Sequence, residues 1–121
     1  MDKIKIRNLL LRGIIGINED ERTNKQDILI NLTLYTDFRK AALSDDIKDA
    51  VNYRSITKRI IKHVEDSADF LVEKLVSDIA QIILTEFNVD RVIVRVEKPG
   101  ALRFAESVGV EIDRTKSDFL G

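Results

Sequence analysis

The chain has 121 residues, 44% apolar and 34% charged, a balance that fits one soluble globular domain over residues 1–121 and excludes a disordered chain. It has no cysteine, which removes disulfides, thiolate-held zinc, iron–sulfur clusters and thiol nucleophiles together, and its single histidine, His63, rules out a His-rich metal site within one subunit. A net charge of −1, with Lys and Arg dispersed and only two Tyr and five Phe, argues against a nucleic-acid partner, which calls for clustered cations and stacking aromatics.

The opening Met1-Asp2-Lys3-Ile4-Lys5 alternates charge with isoleucine, so it has no signal-peptide stretch, and the cytoplasm is the expected address. Lys3, Lys5 and Arg7 against Ile4 and Ile6 have period two and predict a strand from Lys3 to Arg12. The apolar runs Leu9-Leu10-Leu11 and Ile82-Ile83-Leu84 fall far short of the roughly 20 residues that cross a bilayer, so no membrane partner is expected. Gly13 to Lys25, with two glycines, Asn18, Asp20, Thr23 and Asn24, predicts a long connection. From Asp27 to Phe38 alternation returns, with Ile28, Ile30, Leu32 and Leu34 on one face and Asn31, Thr33 and Tyr35 on the other.

Arg39 to Asn52 is polar and irregular, with Ser44-Asp45-Asp46 as a turn or helix cap. Ile56, Ile60, Ile61 and Val64 then form the stripe of an amphipathic helix ending near Glu65, and Asp66-Ser67-Ala68-Asp69 breaks it. A second helix carries Leu71, Leu75, Val76, Ile79, Ile82, Ile83 and Phe87 on its apolar side. Val92, Val94 and Val96, then Val108, Val110 and Ile112 after a Pro-Gly turn, predict two more strands with these residues inward. The order ββααββ is an α+β class: a four-stranded antiparallel sheet with two helices on one face. Lys5, Arg7, Asn31, Thr33, Arg95, Glu97, Ser107 and Glu111 fall on the other face, which either meets solvent or lines the lumen of an oligomeric barrel that closes the sheet edges.

Several segments, in order, resemble the dihydroneopterin aldolase family: Gly13-Ile14-Ile15-Gly16-Ile17-Asn18-Glu19-Asp20-Glu21, Gln26 with the strand after it, Asp45-Asp46 and Ala50-Val51-Asn52-Tyr53. Leu71-Val72-Glu73-Lys74-Leu75, Val94-Arg95-Val96-Glu97-Lys98-Pro99 and Ser107-Val108-Gly109-Val110-Glu111-Ile112 continue it, so the likeness runs from Ile4 to about Arg114. It implies a tunnelling fold, in which four subunits close a barrel and two barrels stack into a homo-octamer, with active sites between subunits. It also implies retro-aldol cleavage of a small-molecule pterin, 7,8-dihydroneopterin, to 6-hydroxymethyl-7,8-dihydropterin and glycolaldehyde in folate synthesis, with no metal and no organic cofactor.

That reaction needs a base for a side-chain hydroxyl, an acid for the developing carbanion and an electron sink, which the pterin ring imine supplies. By resemblance Lys98, Tyr53 and Glu21 are catalytic: Lys98 beside the proton path, Tyr53 as donor or relay, Glu21 positioning hydroxyls or water. Glu21 and Tyr53 also touch substrate, and the Leu71-Val72-Glu73 segment anchors the pterin, the two carboxylate oxygens of Glu73 accepting N–H bonds from the amino-pyrimidine edge. Read without the family, Glu73 is a helix-start carboxylate, Lys98 a strand-end lysine, Glu21 one of three adjacent loop acids and Tyr53 a half-buried aromatic. Nothing in the family pattern uses His63, which reads as structural or surface.

Ile14-Ile15 stands where many aldolases carry an aromatic-His pair. Ile15-Gly16-Ile17, Asn52-Tyr53-Arg54-Ser55-Ile56-Thr57-Lys58 and the segment from Ala101 to Val108 resemble the sister branch, dihydroneopterin triphosphate 2′-epimerase, while the Val108-Gly109-Val110-Glu111-Ile112 ending looks more like an aldolase. The expectation is therefore an aldolase, with the epimerase or a non-catalytic pterin-binding protein as alternatives.

Overall fold

The structure is a computed structural model and describes residues 1–119. Strands β1 (Asp2–Ile15) and β2 (Gln26–Thr36) pair antiparallel, and Ile28, Ile30, Leu32 and Leu34 are buried on a single face, as their alternation requires. β1 keeps its apolar side inward only by breaking period. Arg7 and Asn8 lie opposite Asn31 alone, between the pairs Ile6 to Leu32 and Leu9 to Ile30, so β1 bulges there. Asn8 takes the left-handed conformation at φ 55°, which asparagine tolerates better than most residues. Its backbone N–H donates to Asn31 Oδ1 at 2.9 Å. The bulge hands the inward role from Ile4 and Ile6 to Leu9 and Leu11, and turns Leu10 outward.

Helix α1 (Glu19–Thr23) follows β1, and α2 (Arg39–Ser44) with a single 3-10 turn (Ile47–Asp49) follows β2. Asp45 ends α2 in the left-handed conformation and the Asp46 carboxylate accepts from Lys48 N–H, so the predicted turn is a pair of caps. Helix α3 (Tyr53–Asp66) starts at Asn52, whose side chain accepts from Ser55 N–H, and buries Ile56, Ile60 and Val64. Strand β3 (Ala68–Asp69) leads to α4 (Val72–Glu86), which buries Leu75, Val76, Ile79, Ala80, Ile82, Ile83 and Leu84. Strands β4 (Arg91–Pro99) and β5 (Ser107–Thr115) complete the sheet. Val92, Val94 and Val96 meet the helices. Burial of each Ile, Leu or Val contributes about 1.5–3 kcal/mol, so the seam between helices and sheet holds most of the fold's stability.

The α+β class and the core face match the sequence expectation, with five differences. The sheet has five strands in the order β3-β1-β2-β4-β5, because Ala68 and Asp69 pair parallel with Ile14 and Ile15. The segment 13–25 is not one long connection: β1 runs to Ile15 and α1 occupies its centre. The stretch from Arg39 to Asn52 is partly helical. Leu71 stands at the N-cap of α4, exposed, instead of on its apolar side. Val108 is 43% exposed, since its partner is Lys98 at the strand end, beyond the valines that meet the helices. On the opposite face Lys5, Arg7, Asn31, Thr33, Arg95 and Glu111 do come together, around a shallow depression of about 180 Å³. In the single chain the sheet is open, with β3 and β5 at its edges.

Ile60 is fully buried between α3 and the sheet. Ile60→Ala is expected to lower unfolding free energy by about 2–5 kcal/mol, read from the denaturation midpoint at constant m-value. An unchanged midpoint would mean that the α3 stripe does not pack as described.

Candidate active site

Lys98 and Glu21 meet where the end of β4 passes α1. Lys98 Nζ donates to Glu21 Oε2 at 2.6 Å, with side chains only 12% and 17% exposed. The acid is positioned from its own helix: Asn18-Glu19-Asp20-Glu21 has the spacing of a capping box, and Glu21 Oε1 accepts from Asn18 N–H at 3.2 Å. Gln26, at the start of β2, donates to Glu21 Oε2 at 3.2 Å and to the Ile15 carbonyl at 2.6 Å. Gly16 makes room for the carboxylate. It has φ +127°, and a Cβ there would fall 2.3 Å from Glu21 Oε1, so only glycine lets the acid lie against the backbone. The Lys98 ammonium, then the Gln26 amide, lower the Glu21 carboxyl pKa to about 2. Glu21 is therefore an anion throughout the physiological range.

The same end of the sheet holds the start of α4. Gly16 N–H donates to the Asp69 carbonyl at 3.1 Å, and the Arg22 guanidinium spans the carbonyls of Gly16, Ala68 and Asp69. Arg22 also lies 4.0 Å from the centre of the Phe70 ring. Leu71, Val72 and Glu73 follow directly. Glu73 sits exposed in the first turn of α4 and has no hydrogen-bond or ion-pair partner among the described residues. Leu71 provides no side-chain cap, so the first N–H groups of α4 are left for water or a ligand.

Tyr53 is elsewhere. It begins α3 and, with Thr36, Phe38, Val51, Asn88 and Asp90, lines a cavity of about 460 Å³ near the start of β4. Lys98 lies near that strand's other end, seven residues on from Arg91 and so about 23 Å away at about 3.3 Å per residue. One chain thus brings together Glu21, Lys98 and the Leu71-Val72-Glu73 segment, and holds Tyr53 apart.

The profile of the FolB dihydroneopterin aldolase family matches residues 4–113. The chain belongs to that family. It is 45% identical over 112 residues to a dihydroneopterin triphosphate 2′-epimerase of Pseudomonas aeruginosa, covering 93% of this chain and 91% of that protein. It is 36% identical over 114 residues to a dihydroneopterin aldolase of Escherichia coli, covering 94% and 93%. Among solved structures, E. coli dihydroneopterin aldolase in complex with neopterin superposes with a TM-score of 0.91 at 36% identity, over 94% of this chain and 99% of that one. The chain also matches a folic acid synthesis protein of Dictyostelium discoideum at 42% identity, of which it spans 18%.

Membership in the FolB family agrees with the resemblance read from the sequence, and no helix among the described residues is long and apolar enough to cross a membrane. Two contributors carry no role in the sequence reading: Gln26, which belongs to the family pattern, and Arg22. No local signal marks Arg22, because its carbonyl partners at Ala68 and Asp69 lie 46 and 47 residues away.

Because the folded Glu21 pKa is depressed from 4.5 to about 2, its stabilising contribution is complete above about pH 4.5 and is lost as pH falls toward 2. Glu21→Gln should therefore destabilise the protein at pH 7 by about 1.5–3 kcal/mol, the range for a charge-assisted hydrogen bond. The gap from wild type should shrink as denaturation midpoints are measured from pH 5 down to 3. A pH-independent gap would show that the carboxylate charge is not what Lys98 holds.

Proposed function

We propose that this chain catalyses retro-aldol cleavage of 7,8-dihydroneopterin, releasing glycolaldehyde and 6-hydroxymethyl-7,8-dihydropterin. The observation that carries the reading is the largely buried Lys98–Glu21 pair, at the same end of the sheet as the open first turn of α4. Glu73 and the free N–H groups after Leu71 hold the pterin edge: the carboxylate accepts from the ring amino and amide N–H groups, and the backbone donates to ring acceptors. Lys98 and Glu21 then stand at the side chain. The hydroxyl proton leaves toward this pair, the carbon–carbon bond breaks, the electrons enter the ring imine, and a proton returned to the carbon gives the hydroxymethyl product. The ring is the electron sink, so the proposed path uses neither a metal nor a lysine Schiff base.

A second reading is epimerisation of the triphosphate substrate, favoured by the 45% identity to the Pseudomonas epimerase against 36% to the E. coli aldolase. Cleavage followed by re-addition of the aldehyde to the opposite face gives the epimer, so the same residues serve both outcomes. Purified protein offered dihydroneopterin and its triphosphate, with glycolaldehyde and epimer resolved, separates them. Glycolaldehyde release from dihydroneopterin supports the first reading, and epimer without release supports the second.

Lys98→Ala should lower turnover about 10²–10⁴-fold while leaving pterin-ring affinity largely intact, since the ring is assigned to Glu73 and the α4 backbone. Near-wild-type turnover would remove Lys98 from the chemistry.

The proposal also places the site between subunits of a barrel, supported by the separation of Tyr53 from Lys98 and by the open sheet edges. In the proposed homo-octamer of two stacked tetramers, Tyr53 of one copy faces Lys98 of the next. Two inactive variants, Lys98→Ala and Tyr53→Phe, refolded together in equal amounts should regain about a quarter of wild-type activity, since random head-to-tail neighbours restore that share of sites. No recovery in a mixed oligomer would place both residues in one subunit's site, or Tyr53 in none.

A further inference from the structure

Away from Lys98, three ligand-type side chains converge on the helix side of the sheet: His63 from α3, Asp69 from β3 and Asp78 from α4. One ligand atom of each lies within 4.8 Å of the other two. His63 Nε2 and Asp78 Oδ2 are 3.9 Å apart. The decisive feature is the state of two of these atoms. His63 Nε2 and Asp69 Oδ2 are both buried and have no hydrogen-bond partner among the described residues. Burying a polar atom without a partner is costly, and here two such atoms belong to one cluster of three side chains.

We propose that His63, Asp69 and Asp78 hold one divalent transition-metal cation of the zinc class, a structural site separate from the pterin chemistry. In the Nδ1–H tautomer the imidazole offers a lone pair at Nε2 and Asp69 offers another at Oδ2, and a cation between them satisfies both. Zinc takes imidazole nitrogen and carboxylate oxygen at about 2.0–2.2 Å, which puts ligand atoms about 3.3 Å apart, so the side chains need close by only about an ångström or so. One nitrogen and two carboxylate ligands suit zinc, cobalt or nickel better than calcium, which takes six to eight oxygens, or copper(I), which favours sulfur. His63 and Asp78 also line a surface depression with Gln81, from which water can supply a fourth ligand.

Lys74 currently hydrogen-bonds Asp78 Oδ2 and must be displaced or must share the carboxylate. Its side chain is 61% exposed and can swing into solvent. The bound ion would clasp α3, β3 and α4 at one corner. Asp69 also offers its carbonyl to Gly16 and Arg22, and Leu71 follows two residues later. The clasp would therefore stiffen the backbone on which the proposed pterin-anchoring segment is mounted.

The test uses the full chain in its native assembly, stripped with EDTA and titrated with zinc chloride. The expected result is saturable binding of one zinc per chain in the micromolar range, and a rise in Tm of about 10 °C at a hundredfold excess over Kd. His63→Gln and Asp78→Asn should each weaken binding at least about tenfold and remove that rise. His63 is the only histidine, so its imidazole 15N signals are unique, and zinc should shift the Nε2 resonance of wild type. This readout stands even if either variant misfolds. No saturable binding would overturn the proposal and leave a bridging water as the partner of the two orphaned atoms. Binding that leaves the His63 resonance unmoved, or that both folded variants retain, would also overturn it.

Discussion

The contact between Lys98 and Glu21 joins residues 77 positions apart, and much of the local architecture exists in a form that permits it. β4 must continue past the helix-covered valines to bring Lys98 over α1, and Gly16 must leave the space a side chain would fill. Gln26 must tie the carboxylate to the end of β1. An exposed ion pair contributes about 0–1 kcal/mol, whereas stripping one partner from a buried pair costs about 3–5 kcal/mol. This pair, mostly but not wholly shielded, falls between those limits. Its first consequence is electrostatic: it fixes an anion and a cation side by side at the mouth of α4.

The fold was legible wherever one period ran uninterrupted. β2 and β4 alternate strictly, and α3 and α4 carry clear apolar stripes, so their existence and inward faces follow from burial alone. Legibility failed where tertiary pairing overrode local pattern. Leu9-Leu10-Leu11 has no period, and only pairing with β2 reveals that a bulge at Asn8 sorts Leu9 and Leu11 inward. β3 has no sequence signal because two residues are too few to show a period. It exists because the chain leaving α3 lies beside the end of β1.

For the site, local chemistry narrowed the choice and distance decided it. Three acids adjoin in Glu19-Asp20-Glu21, and the Asn-x-x-Glu spacing singles out the third as the one whose carboxylate turns back toward Asn18. That it turns toward Lys98 could not be read from spacing, since no local pattern links α1 to the end of β4. The family resemblance supplied the pairing of roles, and the geometry supplied the contact. Tyr53 illustrates the converse. Its position at the start of α3 was legible, but only the folded chain places it at the end of the sheet away from Lys98.

The start of α4 breaks a local rule in a way that bears on function. A helix of this length ordinarily begins with Ser, Thr, Asp or Asn at the N-cap, and replacing such a residue with an apolar one costs about 0.5–2 kcal/mol. The chain uses a good cap at Asn52 for α3, so the omission at Leu71 is not a general habit of the sequence. At α4 the uncapped N–H groups, the exposed Leu71 and Glu73, which has no partner among the described residues, lie at the end of the sheet that carries Lys98 and Glu21. Filling the cap with the protein's own oxygen would stabilise α4 and occupy the donors that the proposed pterin would use. A flat ligand with an acceptor and adjacent N–H groups answers both halves of the vacancy, the backbone donors and the free carboxylate, which no single polar side chain of the protein does. Stability forgone at one helix end leaves backbone donors free, and the place where local reasoning fails coincides with the place where substrate recognition is proposed.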